Sequence, residues 1–196
     1  GKRTFDTGGI EYYIVFVPRK HWDMSVFSSI KVPFEYVNIF TLDNSSNSIQ
    51  EFDTKILSQM KTLCGLKLKN VSIHKNIKGI ELSSEIDFIE LVDTDIVDED
   101  CSVFAKLGKL HQLKINGEKI KGAGLGYFCK DAIGEVDLSE SYIDDSAFKA
   151  LATYKNLEVV KMHNLKLLNR KQIAEYYHQY LEKKNVRIYY QNEENQ

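Results

Sequence analysis

The residues best equipped for chemistry are scattered. Five histidines (His21, His74, His111, His163 and His178) and three cysteines (Cys64, Cys101 and Cys129) occur without C-x-x-C or H-E-x-x-H spacing. A metal ion needs several such donors to converge on one point, so no metal and no cofactor is expected. Gly122-Ala-Gly124-Leu-Gly126 approaches a phosphate-cradling fingerprint, but the third glycine would have to stand at Tyr127. A loosened turn is the expected role. There is no G-x-S-x-G element, and no cysteine pairs with a histidine by spacing. The chain is therefore not expected to be an enzyme and offers no catalytic residue.

Two further motifs invite a reading. Asp93, Asp95, Asp98, Glu99 and Asp100 make a dense acidic run. It lacks the glycine and terminal glutamate of an EF-hand loop. A solvated cap at a helix start is expected, where negative charge suits the helix dipole. Asn44-Ser45-Ser46 and Asn70-Val71-Ser72 fit the glycosylation sequon, a triplet that chance supplies often.

Composition narrows the function classes. The 196 residues carry 26 Lys plus Arg against 28 Asp plus Glu, a net charge of -2. That balance gives no support for a nucleic acid or anionic membrane as partner. The longest stretch without a charged residue is the eight from Gly122 to Cys129, too short for a transmembrane helix, and no signal-peptide core is expected. Three scattered cysteines make no disulfide framework. Reduced thiols and a cytoplasmic setting are expected, although the sequence leaves a removed leader open.

What must position any functional group is a repeat. Apolar residues recur at positions 1, 4, 6 and 11 of a unit: Leu63, Leu66, Leu68, Ile73; then Ile86, Ile89, Leu91, Ile96; then Leu110, Leu113, Ile115, Ile120. Ile133, Val136, Leu138, Ile143 and Leu157, Val160, Met162, Leu167 complete five units, whose starts step by 23, 24, 23 and 24 residues. Positions 4 and 6 alternate as in a strand, so 3, 5 and 7 point to the opposite face. Between strands, the segment Ile143 to Leu151 has an Asp/Ser cap followed by apolar residues at helical spacing. Asp98 to Leu107 and Ile173 to Tyr180 repeat the idea. Strand then helix, repeated in one sense, requires parallel neighbours, and no unit buries its apolar face alone.

The pattern resembles the leucine-rich repeat, and its helical return segments look most like the ribonuclease-inhibitor-like subclass. Residues 133 to 167 carry the resemblance best. The family's Asn or Cys at position 9 is matched only approximately, by Asn70 and then Thr94, Glu118, Ser141 and Asn164 or Leu165, so irregular turns are expected. The resemblance implies an α/β solenoid of about 6–8 repeats, with a parallel sheet on one face and helices or irregular turns on the other. It also implies a non-enzymatic protein–protein interaction module.

Outward extension gives one domain over 1–196: a capping region at 1–36, repeats over 37–190 and a disordered tail at 191–196. Val37, Phe40 and Leu42 match before the five units, Ile10, Tyr13 and Val15 form an earlier strand, and Val186 and Ile188 a last one. A separate small N-terminal domain is the rival reading.

On the open face, position 5 reads Lys67, Glu90, Lys114, Asp137, Lys161 and Arg187, a ladder of nearly alternating charge. Position 3 adds Phe88, with Gly65 beside it, and position 7 adds Val92, Asn116, His163 and Tyr189. Phe88 and Val92 either form an apolar contact pair, or Phe88 folds over Gly65. The expected partner-binding set is Phe88, Glu90, Val92, Lys114, Asn116, Asp137, Lys161 and His163, facing another protein, with the chain itself a monomer. The alternative is an assembly subunit that uses its edge or its C-terminal tyrosines, Tyr176, Tyr177, Tyr180, Tyr189 and Tyr190.

Overall fold

The computed structural model describes residues 2–4, 10–31, 33–80 and 82–190. The expected tail at 191–196 lies outside them. The strands are β1 (Lys2–Thr4), β2 (Ile10–Phe16), β3 (Val37–Asp43), β4 (Gln50–Glu51), β5 (Gly65–Lys69), β6 (Val71–Ser72), β7 (Phe88–Val92), β8 (Gln112–Ile115), β9 (Glu135–Asp137), β10 (Val159–Lys161) and β11 (Arg187–Tyr189). The α-helices are short: α1 (Ser25–Ser28), α2 (Asp145–Leu151) and α3 (Arg170–Tyr176).

The fold is α/β, built on one mostly parallel sheet. Its order is β1-β2-β3-β5-β7-β8-β9-β10-β11, and only the β1–β2 pair is antiparallel. Apart from the small β4–β6 pair, strands follow one another in space as they do in sequence. Position 4 of each unit stands opposite position 4 of the next: Leu66 against Ile89, Ile89 against Leu113, Leu113 against Val136, and Val136 against Val160. The expected early strand, β2, joins the same sheet, with Ile14 opposite Phe40 and Phe40 opposite Leu66.

One continuous apolar core runs from Ile14 to Val186. Aromatic rings join its layers. Phe40 stacks on Phe52 and Phe104 on Phe128, at 5.7 and 5.5 Å between centroids. Tyr154 is fully buried and donates its hydroxyl hydrogen to the Leu125 carbonyl at 2.6 Å, which satisfies the polar end of a side chain otherwise enclosed by hydrocarbon.

The return segments are tighter than the helical spacing implies. The segment expected as a helix after Asp98 is 3₁₀ over Asp98–Phe104, and the return segment before β5 is likewise a 3₁₀ turn, over Thr54–Gln59. A 3₁₀ helix rises about 2.0 Å per residue against 1.5 Å for an α-helix. It carries the chain back along the sheet within a unit of 23 or 24 residues. The expected α-helix from Ile143 to Leu151 does form, as α2, with the Asp144 carboxylate accepting from the Ser146 N–H at 2.8 Å. α3 passes into a π turn at Tyr177–Leu181.

Two expectations about register are corrected. Leu167 is half-exposed, while Leu165 and Leu168 are buried. The unit ends early because Asn169 caps α3 in a capping box with Gln172, and Leu168 and Ile173 occupy the staple positions around that cap. In the last strand, Arg187 faces Val159 and Tyr189 faces Lys161. Tyr189, not Arg187, therefore ends the position-5 row.

Candidate functional site

The open side of the sheet is made by positions 3, 5 and 7, as β5 shows: Leu66 and Leu68 are buried while Lys67 and Lys69 are half-exposed. The position-5 row runs Val15, Thr41, Lys67, Glu90, Lys114, Asp137, Lys161 and Tyr189 across eight parallel strands. The face is graded. Val15 and Val17 expose apolar surface at the N-terminal end, and charge occupies the middle.

The charges are coupled along the row. Glu90 lies 3.2 Å from the Lys67 ammonium and 3.7 Å from that of Lys114, which is 4.0 Å from Asp137. Asp137 also accepts the Ser139 N–H at 2.9 Å. Lys161 departs from the ladder and pairs with Glu135, one strand over and two positions back. That carboxylate holds the Lys161 ammonium above the usual lysine range. Partly exposed pairs of this kind contribute about 0.2–1 kcal/mol each, so they hold side chains in rows more than they stabilise the chain. A shallow depression of about 140 Å³ opens among Phe88, Glu90, Gln112, Lys114 and Glu135.

Phe88 settles over the neighbouring strand. A Cβ built on Gly65 would come within 2.1 Å of its ring, so the glycine is what admits the ring. The Lys67 ammonium stands 5.4 Å from the ring centroid, within cation–π range. His111 lies against Gly134 in the same way, 2.1 Å from a built Cβ.

Of the eight expected contact residues, Phe88, Glu90, Lys114, Asp137, Lys161 and His163 are half-buried on this side. Val92 and Asn116 are not exposed, with 6 % and 3 % accessibility. Asn116 is committed to the backbone: its carboxamide oxygen accepts the Asp93 N–H at 2.8 Å, and its NH₂ donates to the Ser139 carbonyl at 3.3 Å. Val92 pairs with Lys69 on one side and precedes the Asp93 turn that Asn116 holds. Neither is an open contact group.

The acidic run is corrected too. Asp93 and Glu99 are exposed, but Asp95, Asp98 and Asp100 bind other layers. The Asp95 carboxylate accepts from the Ser72 hydroxyl at 2.6 Å and from the N–H groups of Ile73 and His74 at 2.7 and 3.0 Å. Burial opposes its charge, yet these bonds prevail and hold it below the usual aspartate range. Asp98 reaches the other way, accepting from the N–H groups of Lys121, Gly122 and Gly124 at 3.2, 3.1 and 2.9 Å. Buried Asp100 meets the His74 ring nitrogen at 2.5 Å.

The other chemical candidates resolve likewise. Gly124 lets the turn approach Asp98, where a Cβ would lie 2.6 Å from that residue's carbonyl oxygen. Asn44 is fully buried, donating to the carbonyls of Ser48 and Asn70. The Asn70 carboxamide donates to those of Asn44 and Asn47. Both sequon asparagines are thus committed to turns. The cysteines are free thiols, and burial, reinforced by Asp98 and Asp100, pushes the Cys101 thiol up to about 12. Among the described residues, no three His, Cys, Asp or Glu side chains are grouped to hold a metal ion, and no helix is long and apolar enough to cross a membrane. No protein-family model matches the chain, and no curated protein matches it either.

Proposed function

We propose that the chain is a leucine-rich-repeat solenoid of the ribonuclease-inhibitor-like kind, and that it binds another protein through the open face of its sheet without catalysing a reaction. The observation that carries this reading is the in-register position-5 row, with Glu90 shared between Lys67 and Lys114 on the flanking strands. A face of this kind is held rigid from beneath by a continuous core, and its side chains are held in rows before any partner arrives. Preorganisation lowers the entropy cost of binding. Mixed charge favours specificity and orientation over raw affinity. The contact group is Phe88, Glu90, Lys114, Asp137, Lys161 and His163.

The experiment is capture with the tagged chain, identification of the bound protein by mass spectrometry, and reconstitution from purified components. Hydrogen exchange on the complex should then show new protection at residues 88–92, 112–115, 135–139 and 159–163. Protection confined to the return segments would overturn the reading.

A second reading has one observation in its favour. Tyr189 is half-exposed on the terminal strand β11, beside a groove of about 600 Å³ lined by Ile173, Tyr177 and Tyr190. An assembly subunit would use this end. A stable homo-oligomer at micromolar concentration, measured by light scattering, would favour it over the open-face reading.

A further inference from the structure

The loop that follows β2 borders a cavity at the N-terminal end of the sheet. The cavity, of about 610 Å³, lies between this loop and α1, with Phe16, Trp22 and Val26 among its walls. That volume is within the range of ordinary ligand pockets. Its aromatic wall is rooted in the core: Phe16 meets Trp22 edge-on at 5.6 Å, and both rings lie within 6 Å of Phe27, at 5.4 and 5.9 Å. Phe27 is buried and packs on Phe40 and Phe52.

The wall is also fixed by hydrogen bonds. The Trp22 indole N–H donates to the Asn44 carboxamide oxygen at 2.9 Å. The Pro18 carbonyl accepts from the Asn47 carboxamide at 2.9 Å, and the Trp22 N–H donates to Gln50 at 3.4 Å. The loop is pinned before and after the residues it displays.

What it displays is positive. Arg19, Lys20 and His21 are consecutive, exposed and part of the cavity lining. Arg19 and Lys20 have no salt-bridge partner among the described residues. His21 is engaged with the Gln50 carboxamide. The one acid in the lining, Asp23, accepts the Ser25 N–H at 2.7 Å and is partly committed there. An aromatic wall beneath unpaired cations combines the residue types that dominate binding energy at interfaces, Trp and Arg. The arginine fork matches a carboxylate in a way that a point charge cannot.

We propose that this cavity takes an acidic peptide segment of a partner protein, with one aromatic side chain seated against Phe16 and Trp22 and flanking carboxylates on Arg19 and Lys20. The cavity adjoins the N-terminal end of the open face at Val17 but shares no residue with the contact group proposed above, so it stands or falls separately from that reading. Charge complementarity selects the carboxylates, and the rings select the anchor.

Trp22 is the only tryptophan of the chain, so its fluorescence reports the site directly. The probes are the blocked pentapeptide Glu-Asp-Phe-Asp-Glu, its neutral counterpart Gln-Asn-Phe-Asn-Gln, the anchorless Glu-Asp-Ala-Asp-Glu, and phenyl phosphate. The acidic phenylalanine peptide is expected to change Trp22 emission saturably, with affinity falling as salt rises. Each peptide control should bind at least about tenfold more weakly. Arg19→Glu with Lys20→Glu should cause a similar loss while leaving the melting temperature unchanged. Equal responses to the charged and neutral peptides would overturn the proposal. So would saturation by phenyl phosphate without saturation by the acidic peptide, which would mark a small-molecule site.

Discussion

At the scale of the residue, the carboxylates that look most like a binding site are fasteners between layers. Asp98 satisfies three backbone N–H groups of the next unit. Asp98→Ala leaves them without that acceptor, and urea denaturation should show a loss of about 1–3 kcal/mol. Asp98→Asn, which keeps one acceptor oxygen, should lose less. Cys101 gives a second expectation, with its sign fixed by burial. The thiol titrates near 9.0 when exposed and is pushed up to about 12 in the fold. Its contribution to stability is complete below pH 9 and is lost between pH 9 and 12, at about 1.4 kcal/mol per pH unit. Cys101→Ala should flatten the alkaline side of a stability–pH curve, and the wild-type thiol should resist alkylation at pH 8 in the native state. The residue types in the acidic run were legible in the sequence, but their partners were not. Five of those partners are backbone N–H groups 21 to 26 residues away, and a backbone N–H leaves no mark on the residue that carries it.

At the scale of the element, the strands were legible and the return segments only partly so. Alternation at positions 4 and 6 follows from the two-residue period of a strand with one face buried, and it locates β5 and β7 through β10. The last strand misled because Val186 and Ile188 also alternate, while the pairing places Ile188 opposite Val160. A signal for the turns was present. Position 8 reads Asn70, Asp93, Gly117, Glu140 and Asn164, and all five adopt positive φ. Three of these are Asn or Asp and one is Gly, the types that tolerate this conformation best. The Gly122–Gly126 turn offers a sharp contrast. Gly124→Ala drives a methyl group into the Asp98 backbone and the Cys101 sulfur, and calorimetry should show a cost of about 1–3 kcal/mol. Gly126 opens on free space, so Gly126→Ala should change stability by less than about 0.5 kcal/mol.

At the scale of the whole molecule, opposite charges meet across neighbouring strands in the middle of the open face. The sequence showed the position-5 ladder through Lys161, because a constant unit length keeps equivalent positions adjacent. It did not show that Val92 and Asn116 close over at the row's edge, since that depends on how the strand-end turns fold. Nor did it show the cavity beneath Arg19 and Lys20, whose walls come from Phe16, Trp22 and Val26 and not from the repeat. The central claim is that the paired middle of the open face makes the contact with a partner protein. Its most direct test is affinity for the captured, purified partner, measured by calorimetry for wild type and for Glu90→Lys combined with Asp137→Lys. Reversal leaves Lys67 and Lys114 facing like charge, at a cost in stability of about 1–2 kcal/mol. The folded double variant should bind at least about tenfold more weakly. Undiminished affinity in that variant, with its fold verified by circular dichroism, would contradict the claim.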